Sequence, residues 1–214
     1  MYDYRYVTKK EAKPYRERIE GLLHLLQNKL KDDDFTFQFT PVGSSNQNMI
    51  TCLQDGNVGF DLDYNIEPNV DEDNSDPAYI RSTLFEVLRT YCRAFGYTHI
   101  ENSTSVITLK IVDTYRSKVL HSCDIAIVHN YYERGTERQE YIRFNKNQKT
   151  YSWVERGKGF YLKEKIEWLK KNEHWNELRD YYIYKKNSNT DPDKHSRSLR
   201  AESVNEVYHR YAHK

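Results

Sequence analysis

The chain has 214 residues and a mass of 25.7 kDa, which suits one moderately large domain or a core domain with a helical appendage. Its formal net charge of +1 gives no global electrostatic reason to bind nucleic acid, and no segment approaches the roughly 18 apolar residues of a membrane span. We therefore expect no membrane partner. The N-terminal segment also lacks the apolar run of a signal peptide, so a cytoplasmic location is the default expectation.

The composition indicates a folded, aromatic-rich protein. Only 37% of the residues are hydrophobic and 30% are charged, but 19 Tyr and 8 Phe supply large side chains for a core. The cysteines are odd in number and widely spaced, which argues against a disulfide framework or a zinc site and favours ordinary buried thiols. They are Cys52, Cys92 and Cys123.

The N-terminal part of the chain predicts a helix followed by strands. Leucines at helical spacing favour an amphipathic helix over residues 8–31, with a break expected near Pro14. "FTFQFTPV" then alternates as a strand does and runs into a Gly-Ser-Ser turn. "NMITCL" and "GFDLDYNI" flank Asp55-Gly56, a dipeptide typical of hairpins, so we expect them to pair with each other.

The remainder predicts a second helix, more strands and then further helices. Asp76 and Pro77 are typical of a helix start, and Gly96 of its end. "SVITLKIVD", "KVLHSCDIAIVHN", "QEYIRFN" and "KTYSWVE" are strand candidates, whereas the last segments have helical periodicity. The prediction is an α+β fold, a mixed sheet flanked by helices. Residues 1–155 form the core, and residues 156–214 form a helical C-terminal region.

Three aspartates stand in segments that otherwise read as strands. Alternation places Asp61 and Asp63 on one strand face, and Asp124 interrupts a second apolar run. Unpaired carboxylates are costly in a strand interior, and neighbours of like charge repel each other. If the strands are adjacent, the three carboxylates converge, and oxygen donors of this kind suit Mg²⁺ or Mn²⁺.

The turn ahead of the aspartates supplies a second part of a site. Gly43, Ser44 and Ser45 can present backbone N–H groups and hydroxyls to phosphate oxygens, although such a sequence is also common in ordinary turns. Two metal ions held by carboxylates beside a phosphate-binding turn suit the transfer of a nucleotidyl group from a nucleoside triphosphate.

Together these segments resemble the DNA polymerase β-like nucleotidyltransferase superfamily. The order of a Gly-Ser turn after a strand, an Asp-x-Asp strand, a helix and a strand with a further Asp is most similar to the branch of oligoadenylate synthases and bacterial cyclic-oligonucleotide synthases. The resemblance implies that Asp61, Asp63 and Asp124 bind two metal ions. It also implies that Gly43 and Ser44 hold the triphosphate, and that the third aspartate helps to activate the acceptor hydroxyl.

The segment between the turn and the aspartate pair departs from the family pattern. "NQNMITCLQDGNVG" is longer than the usual spacing and stands where the family has a Gly-Thr motif. Ser45 and Asn48 are the candidate nucleotide contacts around it. Tyr151 and Trp153 are candidates for stacking on a nucleobase, with core or surface packing as the competing interpretation.

Other polar residues carry weaker predictions. Four residues of the helical region could reach a triphosphate, but no motif assigns any of them: Lys163, Lys165, Lys194 and Ser196. His209 and His213 lie one helical turn apart without an acidic or cysteine partner in sequence, so the end of a surface helix is the favoured interpretation.

The predicted function is enzymatic: a metal-dependent nucleotidyltransferase that moves a nucleoside monophosphate from a nucleoside triphosphate to an acceptor hydroxyl and releases pyrophosphate. The acceptor is left open among a nucleotide, an RNA 3′ end, a small molecule and a protein side chain. The alternative is a member of the same fold that has lost catalysis and senses nucleotides or binds a protein.

Overall fold

The computed structural model describes residues 2–69, 76–157 and 162–212. By internal contacts the chain divides into two compact units. We call Val7–Ile50 with Gly56–Arg156 the core unit, and Met1–Tyr6 with Thr51–Asp55 and Gly157–Lys214 the helical unit.

Helices and strands fill most of the described residues. The helices are α1 (Lys9–Leu30), α2 (Gly43–Asn46), α3 (Pro77–Tyr91), α4 (Leu162–Lys171), α5 (Trp175–Ser188) and α6 (Ser196–Ala212). The strands are β1 (Tyr4–Tyr6), β2 (Phe37–Val42), β3 (Thr51–Leu53), β4 (Phe60–Pro68), β5 (His99–Asn102), β6 (Ile107–Asp113), β7 (Lys118–Glu133), β8 (Thr136–Asn145) and β9 (Thr150–Glu155).

The core unit is built on a mixed sheet. Its strand order is β2-β4-β7-β6-β5, and the pairing of β4 with β7 is parallel whereas the other pairings are antiparallel. β7 is long enough to continue beyond β6 and pair with β8, which pairs in turn with β9. This arrangement confirms the predicted α+β fold with a mixed sheet.

The two long helices of the core unit begin where the sequence predicts. Thr8 and Glu11 form a capping box at the start of α1, and the helix continues through Pro14 without a break. Pro14 lies in the second turn, where its missing N–H removes one backbone hydrogen bond, and a buried leucine stripe stabilises the turns that follow. The Asp76 carboxylate accepts hydrogen bonds from the first N–H groups of α3, as predicted.

Two local predictions are wrong. β3 pairs with β1 rather than with β4, so Asp55-Gly56 does not close the expected hairpin. The Gly-Ser-Ser segment is a single helical turn, α2, rather than an open turn. The first difference follows from pairings distant in sequence, because β1 lies about fifty residues before β3 and β4 pairs with β2 and β7.

The helical unit contains α4, α5, α6 and the β1–β3 ribbon. α5 packs on α6 and on β1, and buried leucines and valines lie between the C-terminal helices. The break between α4 and α5 follows Lys171, close to the predicted position near Asn172. None of the helices in the described part of the chain is both long enough and apolar enough to cross a bilayer.

One strand of the central sheet carries a fully buried histidine. His121 of β7 donates from Nδ1 to the Phe60 carbonyl at 3.1 Å, and the Tyr97 hydroxyl lies 3.4 Å from its Nε2. The Tyr15 ring packs on it, and the Arg18 cation lies nearby. Burial lowers the pKa of His121 from an ordinary value of 6.5 to about 4. The imidazole is therefore neutral in the folded protein at neutral pH.

The lowered pKa of His121 predicts acid sensitivity. A group with a depressed folded-state pKa contributes stability that is present above the unfolded-state pKa, 6.5, and lost as the pH falls towards about 4. The depression corresponds to about 3 kcal/mol at most. We expect the free energy of unfolding to change much less between pH 7 and pH 4.5 in His121→Gln than in the wild type, measured by urea titration. His99→Gln, at an exposed histidine of β5, is the control that should keep the wild-type pH dependence.

Candidate active site on the carboxylate face of the sheet

The strand register brings the three predicted aspartates to one face. In the parallel pairing of β4 with β7, Asp63 lies opposite Asp124 and Asp61 lies opposite Ser122. Residues paired in register project to the same side of a sheet, and residues two apart on a strand do so as well. We call this side the carboxylate face, defined by Asp61, Asp63 and Asp124.

Two rows of side chains cross this face from strand to strand. The first row runs Thr108, Asp124, Asp63 over β6, β7 and β4. The second row runs Lys110, Ser122, Asp61 over the same strands. Each row thus places carboxylate next to a hydroxyl, and the second also carries a cation at its β6 end.

Two of the carboxylates receive hydrogen bonds from these hydroxyls. Thr108 donates from Oγ1 to Asp124 Oδ1 at 2.7 Å, and the Ser122 hydroxyl donates to Asp61 Oδ1. The sequence interpretation missed both donors, although alternation contained a signal for them. Ser122 lies two residues before Asp124, and Thr108 is a polar position inside an apolar strand.

Negative charge is concentrated on the carboxylate face. Burial raises the pKa of the Asp124 carboxyl and the nearby Asp61 raises it further, whereas the Thr108 hydrogen bond and the Lys110 ammonium act in the opposite direction. The buried Cys123 thiol also has a raised pKa, first because of burial and then because of the neighbouring aspartates. A cation on this face would relieve that repulsion.

The donor set fits a hard divalent cation, although the carboxylates are not gathered around one point. Three carboxylates on rigid neighbouring strands match the oxygen preference of Mg²⁺ and Mn²⁺. Within residues 2–69, 76–157 and 162–212, no three His, Cys, Asp or Glu side chains form a group that could hold a metal ion as they stand. Asp61 and Asp124 are instead each bonded through Oδ1 to a hydroxyl of a neighbouring strand.

The Gly-Ser-Ser segment, which was predicted to bind phosphate, contacts Asp63. β2 ends at Val42, opposite Asp63, and α2 begins at the next residue. Gly43 has a φ of +62°, and a Cβ atom built on it would lie 3.1 Å from Asp63 Oδ2. The buried Ser45 hydroxyl accepts a hydrogen bond from the Asp63 N–H at 2.8 Å. Ser45, predicted as a nucleotide contact, thus connects α2 to β4, whereas Gly43 is exposed and Ser44 is half-buried.

Gly43 is therefore predicted to accept a side chain only at a cost. Gly43→Ala combines the strain of a left-handed backbone with a Cβ atom against Asp63, whereas Gly135→Ala has a similar φ of +77° and nothing within 4 Å. We expect both variants to lose about 1 kcal/mol of stability from backbone strain. Only Gly43→Ala should lose more than this, because the Asp63 carboxylate has to move, and urea titration of both proteins measures the difference. Equal losses of stability in the two variants would contradict the close approach to Asp63.

Asn48, another predicted nucleotide contact, lies beside the first turns of α1. It is exposed, and it lines a cavity of about 260 Å³ together with Lys9, Lys13 and Arg16. Arg16 also donates a hydrogen bond to the Ser45 carbonyl, so this cavity adjoins the far side of the α2 turn.

Tyr151 and Trp153 are placed on the other side of the sheet. The Trp153 ring lies 6.1 Å from that of His129, which stands five residues beyond Asp124 on β7 and so projects to the opposite face. Tyr151 stacks on Phe144 of β8 at a ring separation of 4.6 Å. α3 packs against β9, the strand that carries Tyr151 and Trp153. The structure does not bring these two aromatic side chains to the carboxylate face.

The weaker candidates of the helical region make contacts within their own unit. Lys165 donates to Asn205 Oδ1 at 2.6 Å, and Lys194 forms an ion pair with Glu202 at 2.8 Å. For the histidine pair near the C-terminus, His213 lies outside the described residues.

The order of these elements defines the fold. A mixed sheet with Asp-x-Asp on one strand, a third Asp on its parallel neighbour and a Gly-Ser segment at the end of the adjacent strand is the nucleotidyltransferase fold that the sequence predicts. The solved structures that the chain resembles share this fold. They include DncV of Vibrio cholerae, described as a cyclic AMP-GMP synthase and a prokaryotic cGAS homolog.

Two structures of DncV match this chain over most of its length. The GTP-bound form of DncV matches with a TM-score of 0.60 and 14% identity over 94% of this chain. Its complex with GTP and 5MTHFGLU2 matches with a TM-score of 0.58 and 15% identity over 91%. The chain covers 52% and 54% of the protein in those two structures, about half of its length. At this identity the likeness establishes the fold. Neither a model of a protein family nor a curated protein matches the chain.

Proposed function

We propose that this protein is a metal-dependent nucleotidyltransferase that transfers a nucleoside monophosphate from a nucleoside triphosphate to an acceptor hydroxyl. The observation that carries the proposal is the register of β4 and β7, which sets Asp63 opposite Asp124 while α2 lies on Asp63. The solved relatives support the choice of donor, because DncV was crystallised with GTP, with 3′-deoxy ATP and with a linear pppA(3′,5′)pG intermediate.

Each residue of the site has a role in this proposal. Gly43 and Ser44 would hold the triphosphate through backbone N–H groups and the Ser44 hydroxyl, and both have side-chain or backbone atoms accessible to solvent. Asp61, Asp63 and Asp124 would hold Mg²⁺ or Mn²⁺, which supplies charge neutralisation and polarises the phosphate under attack. Ser45 and Arg16 keep the turn in place, through the Asp63 N–H and the Ser45 carbonyl.

The proposed reaction is an in-line displacement. An acceptor hydroxyl forms a bond to the α-phosphorus, the bond from that phosphorus to the bridging oxygen breaks, and pyrophosphate leaves with the electron pair. Asp124 is proposed to help activate the acceptor hydroxyl, whose proton is released to water, because Oδ1 already accepts from Thr108 and Oδ2 would hold the cation. Positioning of the two reactants and neutralisation of charge would supply most of the rate enhancement.

A second candidate function has one observation in its favour. The described side chains do not converge on a metal position, as they would in a site already formed. A protein with this arrangement that bound a nucleotide without turnover would be a sensor or an interaction module of the same fold. Calorimetry with a nucleoside triphosphate and Mg²⁺, followed by an assay for pyrophosphate, separates the two: binding without release favours the sensor.

The substrate is best tested with a panel of donors and acceptors. The purified protein is incubated with each α-labelled nucleoside triphosphate, with Mn²⁺ or Mg²⁺, with and without total tRNA, and the products are resolved. The proposal expects label in a new product together with stoichiometric pyrophosphate. The absence of any labelled product with all four donors, in a protein that binds them, would favour the sensor.

A further inference from the structure

We propose that Thr108 is a positioning residue, whose hydroxyl fixes one oxygen of the Asp124 carboxylate so that the other oxygen is presented to the divalent cation. This inference rests on the proposed function, because it concerns the same site. It assigns a role to a residue of β6, a strand that carries none of the predicted ligands.

The first support is the geometry of the hydrogen bond. Thr108 and Asp124 are directly opposed in the antiparallel pairing of β6 with β7, and both project to the carboxylate face. Their side chains meet at 2.7 Å, with the hydroxyl donating to Oδ1. A short bond between rigid neighbouring strands holds the carboxylate plane in one orientation, and the restricted χ1 of the β-branched Thr108 assists it.

The second support is the burial of the hydroxyl. Thr108 is 8% exposed, so its O–H needs a partner within the protein, and it takes the carboxylate. A threonine that only packed in the sheet could satisfy its hydroxyl elsewhere and would leave the orientation of the Asp124 carboxylate unchanged. Because the bond occupies Oδ1, the oxygen that Thr108 does not bond is the one available to a cation.

The third support is a repetition of the arrangement one row away. Ser122 lies opposite Asp61 and donates its hydroxyl to Asp61 Oδ1. Two carboxylates of the same face thus each have one oxygen bonded by a hydroxyl from the adjoining strand. Partners that orient ligating carboxylates in this way commonly account for a 10- to 100-fold change in metal affinity.

The test compares variants of Thr108 by two measurements. Thr108→Val removes the hydroxyl but keeps the β-branched shape, and Thr108→Ser keeps the hydroxyl. Binding of Mn²⁺ is measured by electron paramagnetic resonance in the presence of a non-hydrolysable nucleoside triphosphate analogue, and incorporation is measured over a range of Mn²⁺ concentrations. We expect about tenfold weaker Mn²⁺ binding in Thr108→Val, near wild-type binding in Thr108→Ser, and a lower kcat with little change in KM for the nucleotide in Thr108→Val.

The controls keep the result interpretable. Thr40→Val makes the same change on the same face, at a position opposite Asn65 rather than a carboxylate, and should leave Mn²⁺ binding unchanged. Thermal unfolding verifies that the variants fold, and Thr108→Ala replaces Thr108→Val if the latter does not. Wild-type Mn²⁺ affinity in the folded variant that lacks the hydroxyl, or failure of Thr108→Ser to restore affinity, would overturn the inference alone. A wild-type protein that binds nucleotide but no Mn²⁺ would overturn the metal-dependent function as well.

Discussion

Asp63→Asn is expected to reduce nucleotide incorporation by roughly 10³-fold, while the protein without divalent cation stays as stable as the wild type or becomes more stable. Asp63 connects two parts of the site, because it lies opposite Asp124 and its N–H donates a hydrogen bond to Ser45 of α2. Asparagine keeps the shape of the side chain and removes a charge from a face where like charges are crowded. Asp61→Asn should behave in the same way. Incorporation of labelled nucleotide and thermal unfolding without divalent cation measure the two effects.

A matched carboxylate outside the site provides the control. Asp113 ends β6 and faces Arg116 across a turn, so Asp113→Asn makes the same chemical change on a strand of the same sheet. Activity in Asp113→Asn should stay within about twofold of the wild type, since a partly exposed pair of this kind contributes little. If Asp63→Asn is as active as Asp113→Asn, Asp63 is not part of a catalytic site.

Arg81→Met is expected to cause the largest loss of stability, about 4 kcal/mol in the free energy of unfolding. Arg81 of α3 is fully buried, and burial lowers its pKa to about 10, so it remains a cation at neutral pH. Its guanidinium donates five hydrogen bonds, two of them to Asn102 Oδ1. The others go to the carbonyls of Ser103, Val106 and Ile142. Methionine would leave these buried and half-buried acceptors without their donor.

The control for Arg81 lies on the same helix. Arg89 is exposed and pairs with Glu86 one turn away, so Arg89→Met should cost less than about 0.5 kcal/mol. Urea titration of both variants measures the difference. A loss in Arg81→Met no greater than that in Arg89→Met would mean that the buried network contributes nothing net to the fold of the β5–β6 connection and β8.

The aspartates could be found from sequence because they violate a local rule. Asp61, Asp63 and Asp124 stand among apolar residues in strand segments, and a carboxylate in such a place needs a reason. Alternation alone fixed the shared face of the first two. That Asp124 joins them depends on a parallel pairing of strands about sixty residues apart, which the order of the elements suggests but no local pattern encodes.

The wrong hairpin prediction and the placement of two aromatic candidates both depend on distant pairing. β3 is three residues long, and its partner β1 lies at the start of the chain, so the hairpin signal at Asp55-Gly56 had no competing signal nearby. Tyr151 and Trp153 were candidates because aromatic rings can stack on bases. Their face depends on how β8 and β9 follow β7, which composition does not reveal.

The hydroxyl donors show a different shortfall. Ser45 resembled a phosphate contact, yet its side chain is buried and bonds the backbone of Asp63. Thr108 and Ser122 could not be singled out from the sequence, because threonine and serine are common in strands. Their relation to the aspartates becomes visible only when the strands are aligned in register.

The most direct test of the central claim is pyrophosphate release from nucleoside triphosphates in the presence of Mn²⁺, measured for the wild type and for Asp124→Asn side by side. Asp124 lies on β7, away from the Asp-x-Asp strand in sequence, so its effect on the reaction tests whether the register of β4 and β7 creates one site. We predict that the wild type releases pyrophosphate in proportion to the nucleotide incorporated, and that folded Asp124→Asn releases none above background. Equal release by the two proteins, or no release by a wild type that binds the nucleotide, would contradict the account.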